Sequence, residues 1–184
     1  MDVAIDPTID PTIGLTCRLL LTLVLGSALV GKLRAPRQFM GILREYRIIP
    51  RGFTGLAVGG VMVAEAFAAL GLWWPFLRPS ASDVAVLLLL TYAAAIAANL
   101  IRGRDGIDCG CSFGGAKESL SWMLVARNLV LMLVALVAGS AEPTAGFGLG
   151  WMVALAAALA LSICYRTLDL LASHRPRLER LRAV

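Results

Sequence analysis

The sequence predicts an all-α protein, a polytopic membrane helical bundle with a four-helix core and a fifth transmembrane helix towards the C-terminus. Two observations carry that prediction. Of 184 residues, 59% are hydrophobic and 16% charged, and the mean hydropathy is +0.80, too apolar for a soluble domain and short enough for one unit. The apolar residues also fall into five runs, with most of the charge crowded between them. The net charge of +5 therefore describes connections that meet anionic lipid headgroups, not an even basic surface for nucleic acid.

The first run, about Ile13 to Gly31, matches the ~20 residues a bilayer requires. Asp2, Asp6 and Asp10 precede it and Lys32, Arg34 and Arg37 follow it, the reverse of a cleaved signal peptide's order, so the N-terminus is expected outside. The tandem Ile5-Asp6-Pro7-Thr8 and Ile9-Asp10-Pro11-Thr12 reads as a flexible lead with no site in it. From Gln38 to Ile49, Phe39, Ile42, Leu43 and Tyr46 recur at helical spacing, with Arg37 and Arg44 on another face and Pro50 as a stop. This pattern predicts a short interfacial helix. The second span, about Phe53 to Leu72, carries Gly55, Gly59 and Gly60, which are expected to admit a neighbouring helix, and ends at an interfacial Trp73-Trp74.

The third span, Val84 to Ile101, stops at a polar segment from Arg102 to Ser119, and the fourth runs from about Leu120 to Ala138. A fifth, alanine-rich span from Phe147 to Tyr165 leads into a basic tail. The chain thus divides into a four-helix transmembrane domain, residues 1–140, and a fifth helix with its tail, residues 141–184. Cations gather in the first connection, the third and the tail, whereas the second has only Arg78 and the fourth none. The positive-inside rule accordingly sets the C-terminus and the polar segment on the cytoplasmic side.

That segment contains Asp108-Cys109-Gly110-Cys111, the strongest chemical signal in the chain. Two sulfurs one residue apart can close only a small, strained ring, and strain makes a disulfide easier to reduce. Arg102, Arg104 and Lys117 favour thiolates, whereas Asp108 opposes that charge at its neighbour, so the two sulfurs are expected to be unequal. Zinc takes four ligands, or at least three from protein at a catalytic site. Asp108, Cys164 and His174 have no ligand spacing to the pair, and no metal site is assigned. Cys17 and Cys164 sit in apolar runs and read as small buried packing residues. Three functions remain open on these residues: a thiol-disulfide oxidoreductase, a soft-metal transporter or binder using Cys109 and Cys111, and an assembly scaffold with no redox turnover.

Ionisable side chains inside the spans form a second group: Glu65, Arg18, and Arg127 followed by Asn128. A charge in hydrocarbon costs at least ~2.5 kcal/mol, so each is expected to face the bundle interior with a partner. Depth counted at ~1.5 Å per residue puts Glu65 nearest to Arg18 and Arg127 closer to the cysteine segment. A pair between Glu65 and Arg18 or Arg127 is expected, fixing register or handling a proton. Asn99 is expected to bond between helices, and Tyr92 and Trp122 to act as packing or interface anchors.

Gly31-Lys32-Leu33, Glu65, Asp108-Cys109-Gly110-Cys111 with Phe113-Gly114, Ser121-Trp122 and Arg127-Asn128 together resemble the methylamine utilisation protein MauE family, related to the DoxX-like membrane proteins. The resemblance covers about residues 13 to 140. It implies a multi-pass protein of a bacterial-type plasma membrane that helps to mature the small, disulfide-rich subunit of methylamine dehydrogenase beside a membrane-anchored thioredoxin-like protein. The expected participants are Cys109 and Cys111, supported by Glu65, Arg127, Asn128, Arg18, Lys32 and Asp108. No quinone, haem or flavin site is legible, so no cofactor is expected. The family usually runs Cys-Gly-Cys-Phe-Gly, whereas here Ser112 precedes Phe113. A client outside the cytoplasm requires either that electrons cross the membrane, with Cys17 as an outer station, or that the topology is inverted.

Overall fold

A computed structural model describes residues 10–104, 106–107, 120–140 and 148–182, apart from the side chains of Arg51, Arg166 and residues 168–182. Asp108, Cys109 and Cys111 lie outside the described residues. Helix α1, Pro11–Arg34, opens where the Asp10 side chain accepts from the Thr12 amide at 2.7 Å, with Pro11 as its first residue. The second acidic Asp-Pro pair of the lead is thus a helix start. Helix α2, Pro36–Glu45, follows after Ala35 and buries Phe39 and Ile42. It ends earlier than the pattern predicts because Arg47 takes a left-handed φ of +50°, which no L-residue sustains in a helix.

A short 3-10 turn at Arg51–Phe53 leads into α3, Thr54–Gly71. Helix α4, Arg78–Ile101, starts before its apolar stretch, since Pro79 is tolerated in a first turn. Helix α5 is Trp122–Ser140, and α6, Leu149–Arg182, runs without a break from its apolar part into the basic tail. Helices α1, α3, α4 and α5 are long and apolar enough to cross a membrane. The apolar part of α6, Leu149–Tyr165, is about 25 Å long and sits at the lower limit for a span.

The four membrane-length helices enclose one core, in which Leu21 and Leu25 of α1 pack with Ala68 of α3 and its capping residue Leu72, Ala85 and Leu89 of α4, and Leu131 and Ala135 of α5. Without a hydrophobic force between helices in lipid, close backbone approach at small residues has to supply the packing. The glycines that do this are not those expected. Gly55, Gly59 and Gly60 are exposed and have open space where a Cβ would stand. A Cβ on Gly71 would instead meet the Ala81 Cβ at 2.8 Å, and one on Gly139 would meet the Ser82 Cβ at 2.5 Å. Ser82 itself is fixed, donating to the Ala135 carbonyl at 2.8 Å. Gly139→Val is therefore expected to push α4 and α5 apart and cost about 1–3 kcal/mol, whereas Gly55→Ala should stay within about 0.5 kcal/mol of the parent. Unfolding by SDS titration, followed by helical circular dichroism, separates the two.

The ends of the bundle differ in character. At one end Trp73 stacks on Trp151, ring centroids 6.1 Å apart, and donates from Nε1 to Thr22 Oγ1 at 3.0 Å. At the other, Ile42 and Tyr46 cover a second cluster with Ile96, Leu120 and Leu124, against which Ile107 packs. Ile107 and Leu120, the flanks of segment 108–119, thus pack into the same cluster as Ile42 of α2. Lys32, Arg34, Arg37, Arg44, Arg102 and Arg104 belong to this same end.

Candidate functional site

Lys32 and Glu65 form a buried ion pair between α1 and α3, with Nζ 2.6 Å from Oε1 and side chains only 2% and 0% exposed. The Tyr92 hydroxyl of α4 donates to the same Oε1 at 2.7 Å. The ammonium also lies 5.1 Å from the Phe39 ring centroid and 5.4 Å from that of Tyr92, so two aromatic faces replace the water it has lost. One cluster therefore ties together α1, α2, α3 and α4. Glu65 Oε2 is buried and accepts no hydrogen bond from the described residues.

The expected partner of Glu65 was an arginine, and the geometry corrects this. Thr22 of α1 donates to the Ala69 carbonyl of α3 at 3.2 Å and fixes the register of the two antiparallel helices. From there Lys32 lies ten residues, about 15 Å, along α1, and Glu65 four residues, about 6 Å, back along α3. Their backbones are thus offset by about 9 Å, too much for a pairing judged by depth alone. Helical side chains, however, lean towards their own N-termini. On antiparallel helices Lys32 and Glu65 therefore lean towards each other, and two long side chains close the gap.

Arg18 works elsewhere: its Nε donates to the Ala138 carbonyl at 3.1 Å, fastening α1 to α5 at the end opposite α2. Arg127 sets its guanidinium 5.2 Å from the Tyr165 ring centroid of α6. Asn128 is buried and donates from Nδ2 to the Leu124 carbonyl of its own helix at 2.8 Å. Asn99, expected to bond between helices, likewise donates to its own helix at Ala95, 2.9 Å away, and its Oδ1 has no partner among the described residues. Tyr92 is the residue whose role was missed. Its signal was its place on the α4 face that also carries Ile96 and Asn99, a face the fold turns inward.

Phe39, Tyr46, Tyr92 and Ile96 line a cavity of about 120 Å³ between α2, α3 and α4. Tyr46 and Ile96 also belong to the cluster that receives Ile107 and Leu120. The cavity thus lies between the charge cluster and the two flanks of the cysteine segment. Cys17 is half-buried against the core, whereas Cys164 is exposed on α6 and is not the buried packing residue expected. Among the described residues no three His, Cys, Asp or Glu side chains converge as a metal site would require.

Residues 10–141 match the sequence family described as methylamine utilisation protein MauE. The chain is 41% identical over 128 residues to the methylamine utilization protein MauE of Paracoccus denitrificans, covering 70% of this chain and 69% of that one. It is 36% identical over 141 residues to that of Methylorubrum extorquens, covering 77% and 70%, and 35% identical over 157 residues to that of Methylophilus methylotrophus, covering 83% and 82%. No solved structure matches.

Proposed function

From the premise that the chain belongs to the methylamine utilisation protein MauE family, we propose that this multi-pass membrane protein serves methylamine utilisation by thiol-disulfide exchange through Cys109 and Cys111. The observation that carries the reading is the Cys109-Gly110-Cys111 pair itself, bracketed by Ile107 and Leu120, both anchored in the cluster under α2. A thiolate of the pair attacks a disulfide in a thioredoxin-like partner and forms a mixed disulfide. The second thiolate displaces the partner's sulfur, leaving the pair oxidised and the partner as a dithiol. Run in reverse, the same two steps deliver a disulfide to the partner and from it to a disulfide-containing client.

The cationic end supports this chemistry, because Arg102 and Arg104 lower the cost of a nearby thiolate. Lys32, Glu65 and Tyr92 act as positioning residues. They hold α1, α3 and α4 in register beside the cluster that receives both flanks of the pair. Acid-quenched cells treated with a mass-tagged maleimide test the reading. A fraction of the chain is expected to resist labelling at both cysteines until reduced, and Cys111→Ser should accumulate a mixed disulfide with a second protein. Two thiols that are fully labelled in the parent, with no adduct in the variant, would sink it.

A further inference from the structure

A cleft of about 400 Å³ opens between α5 and α6, lined by Leu20 of α1, Val130 and Val134 of α5, and Leu161 of α6. Val130 and Leu161 are 59% and 48% exposed, so the cleft faces the bilayer sideways. It arises because α6 packs along α1 while α5 packs on α4 and α1. The stacking of Arg127 on Tyr165 spans the gap between α5 and α6, and the hydroxyl-bearing Ser121 lines the same region. Arg127 is five residues, about 7.5 Å, beyond the exposed Trp122, which marks the membrane interface. The Arg127 side chain leans back towards the N-terminus of α5, so the cleft has a cationic end just below the interface and an apolar length running deeper into the hydrocarbon.

We propose that this cleft binds one anionic phospholipid, its phosphate held by Arg127 and Ser121 and one acyl chain laid along Val130, Val134, Leu20 and Leu161. Size favours a lipid chain over a partner's transmembrane helix. A single turn of a helix 10 Å across fills about 400 Å³, so the cleft takes one turn of a helix but a long stretch of a thin alkyl chain. The acyl chain gains little by leaving a bilayer as apolar as the cleft, so it supplies shape. Discrimination resides at Arg127, whose planar fork meets phosphate oxygens in pairs. The cleft's charged end also belongs to the cation-rich end of the bundle, which the positive-inside rule assigns to the leaflet that carries anionic lipid.

Native mass spectrometry of the full chain, released from detergent after equilibration with equal phosphatidylglycerol and phosphatidylcholine, tests the site. The parent is expected to retain one phosphatidylglycerol with about a tenfold preference, the ratio one charge-assisted hydrogen bond supports. Arg127→Gln should lose that preference and Arg127→Lys should keep part of it. Val134→Trp, which fills the cleft and leaves Arg127 in place, should lose bound lipid of both kinds, giving a reading that does not depend on how Arg127→Gln folds. Equal retention of the two lipids by the parent overturns the site. So does a photo-crosslink from position 134 to a second polypeptide instead of lipid. The readout does not depend on exchange at Cys109 and Cys111.

Discussion

Glu65→Ala is expected to cost about 3–5 kcal/mol of stability, because it leaves the Lys32 ammonium buried without its counter-ion. Lys32 is 3% exposed, and two ring faces, those of Phe39 and Tyr92, would still lie against its ammonium. Tyr92 would lose its hydrogen bond to Oε1 as well. Glu65→Gln should be milder, since an amide oxygen can still accept from Tyr92. The double variant Lys32→Met with Glu65→Leu should recover most of the loss, as buried ion pairs often exchange for apolar side chains at little cost or with a gain. SDS-induced unfolding of the four proteins measures this. A double variant as unstable as Glu65→Ala would show that the damage comes from lost volume and not from an orphaned charge.

The second large effect concerns Cys109 and Cys111. Serine at both positions should abolish disulfide formation in the client while leaving the amount of the membrane protein unchanged. The hydroxyl keeps the size and polarity of the thiol but cannot form the mixed disulfide on which exchange depends. Each single variant is expected to be nearly as inactive as the double, because the two sulfurs act in sequence and removing either stops the cycle. Non-reducing electrophoresis of the methylamine dehydrogenase small subunit in cells carrying each variant reads the outcome. Normal client disulfides in the double variant would exclude the relay.

The apolar runs, the amphipathic α2 and the cysteine pair were legible in the sequence because each is a local pattern: length, period or spacing. Helix ends were less so, since Asp10 as a cap, Pro79 in a first turn and the left-handed Arg47 depend on which residue of several candidates the chain uses. The ion pair was misread for a different reason. Depth counting compares backbones, whereas the contact depends on the direction in which antiparallel side chains lean. Glycines deceived in the same way: Gly55, Gly59 and Gly60 look like an interface, yet rotation of α3 turns them outward and leaves close approach to Gly71 and Gly139.

By itself the sequence determined that this protein is a bundle of membrane helices with one thiol pair in a polar break, because hydropathy and spacing need no knowledge of which helices touch. Only the tertiary structure decided that Lys32, Glu65 and Tyr92 form one cluster, that Arg18 and Arg127 serve other contacts, and that Ile107 and Leu120 pack into one cluster with Ile42 of α2. Those facts depend on helix rotation, register and tilt. In a uniformly apolar chain they are set by the fit of small residues and a few buried charges, which no periodicity along the sequence records.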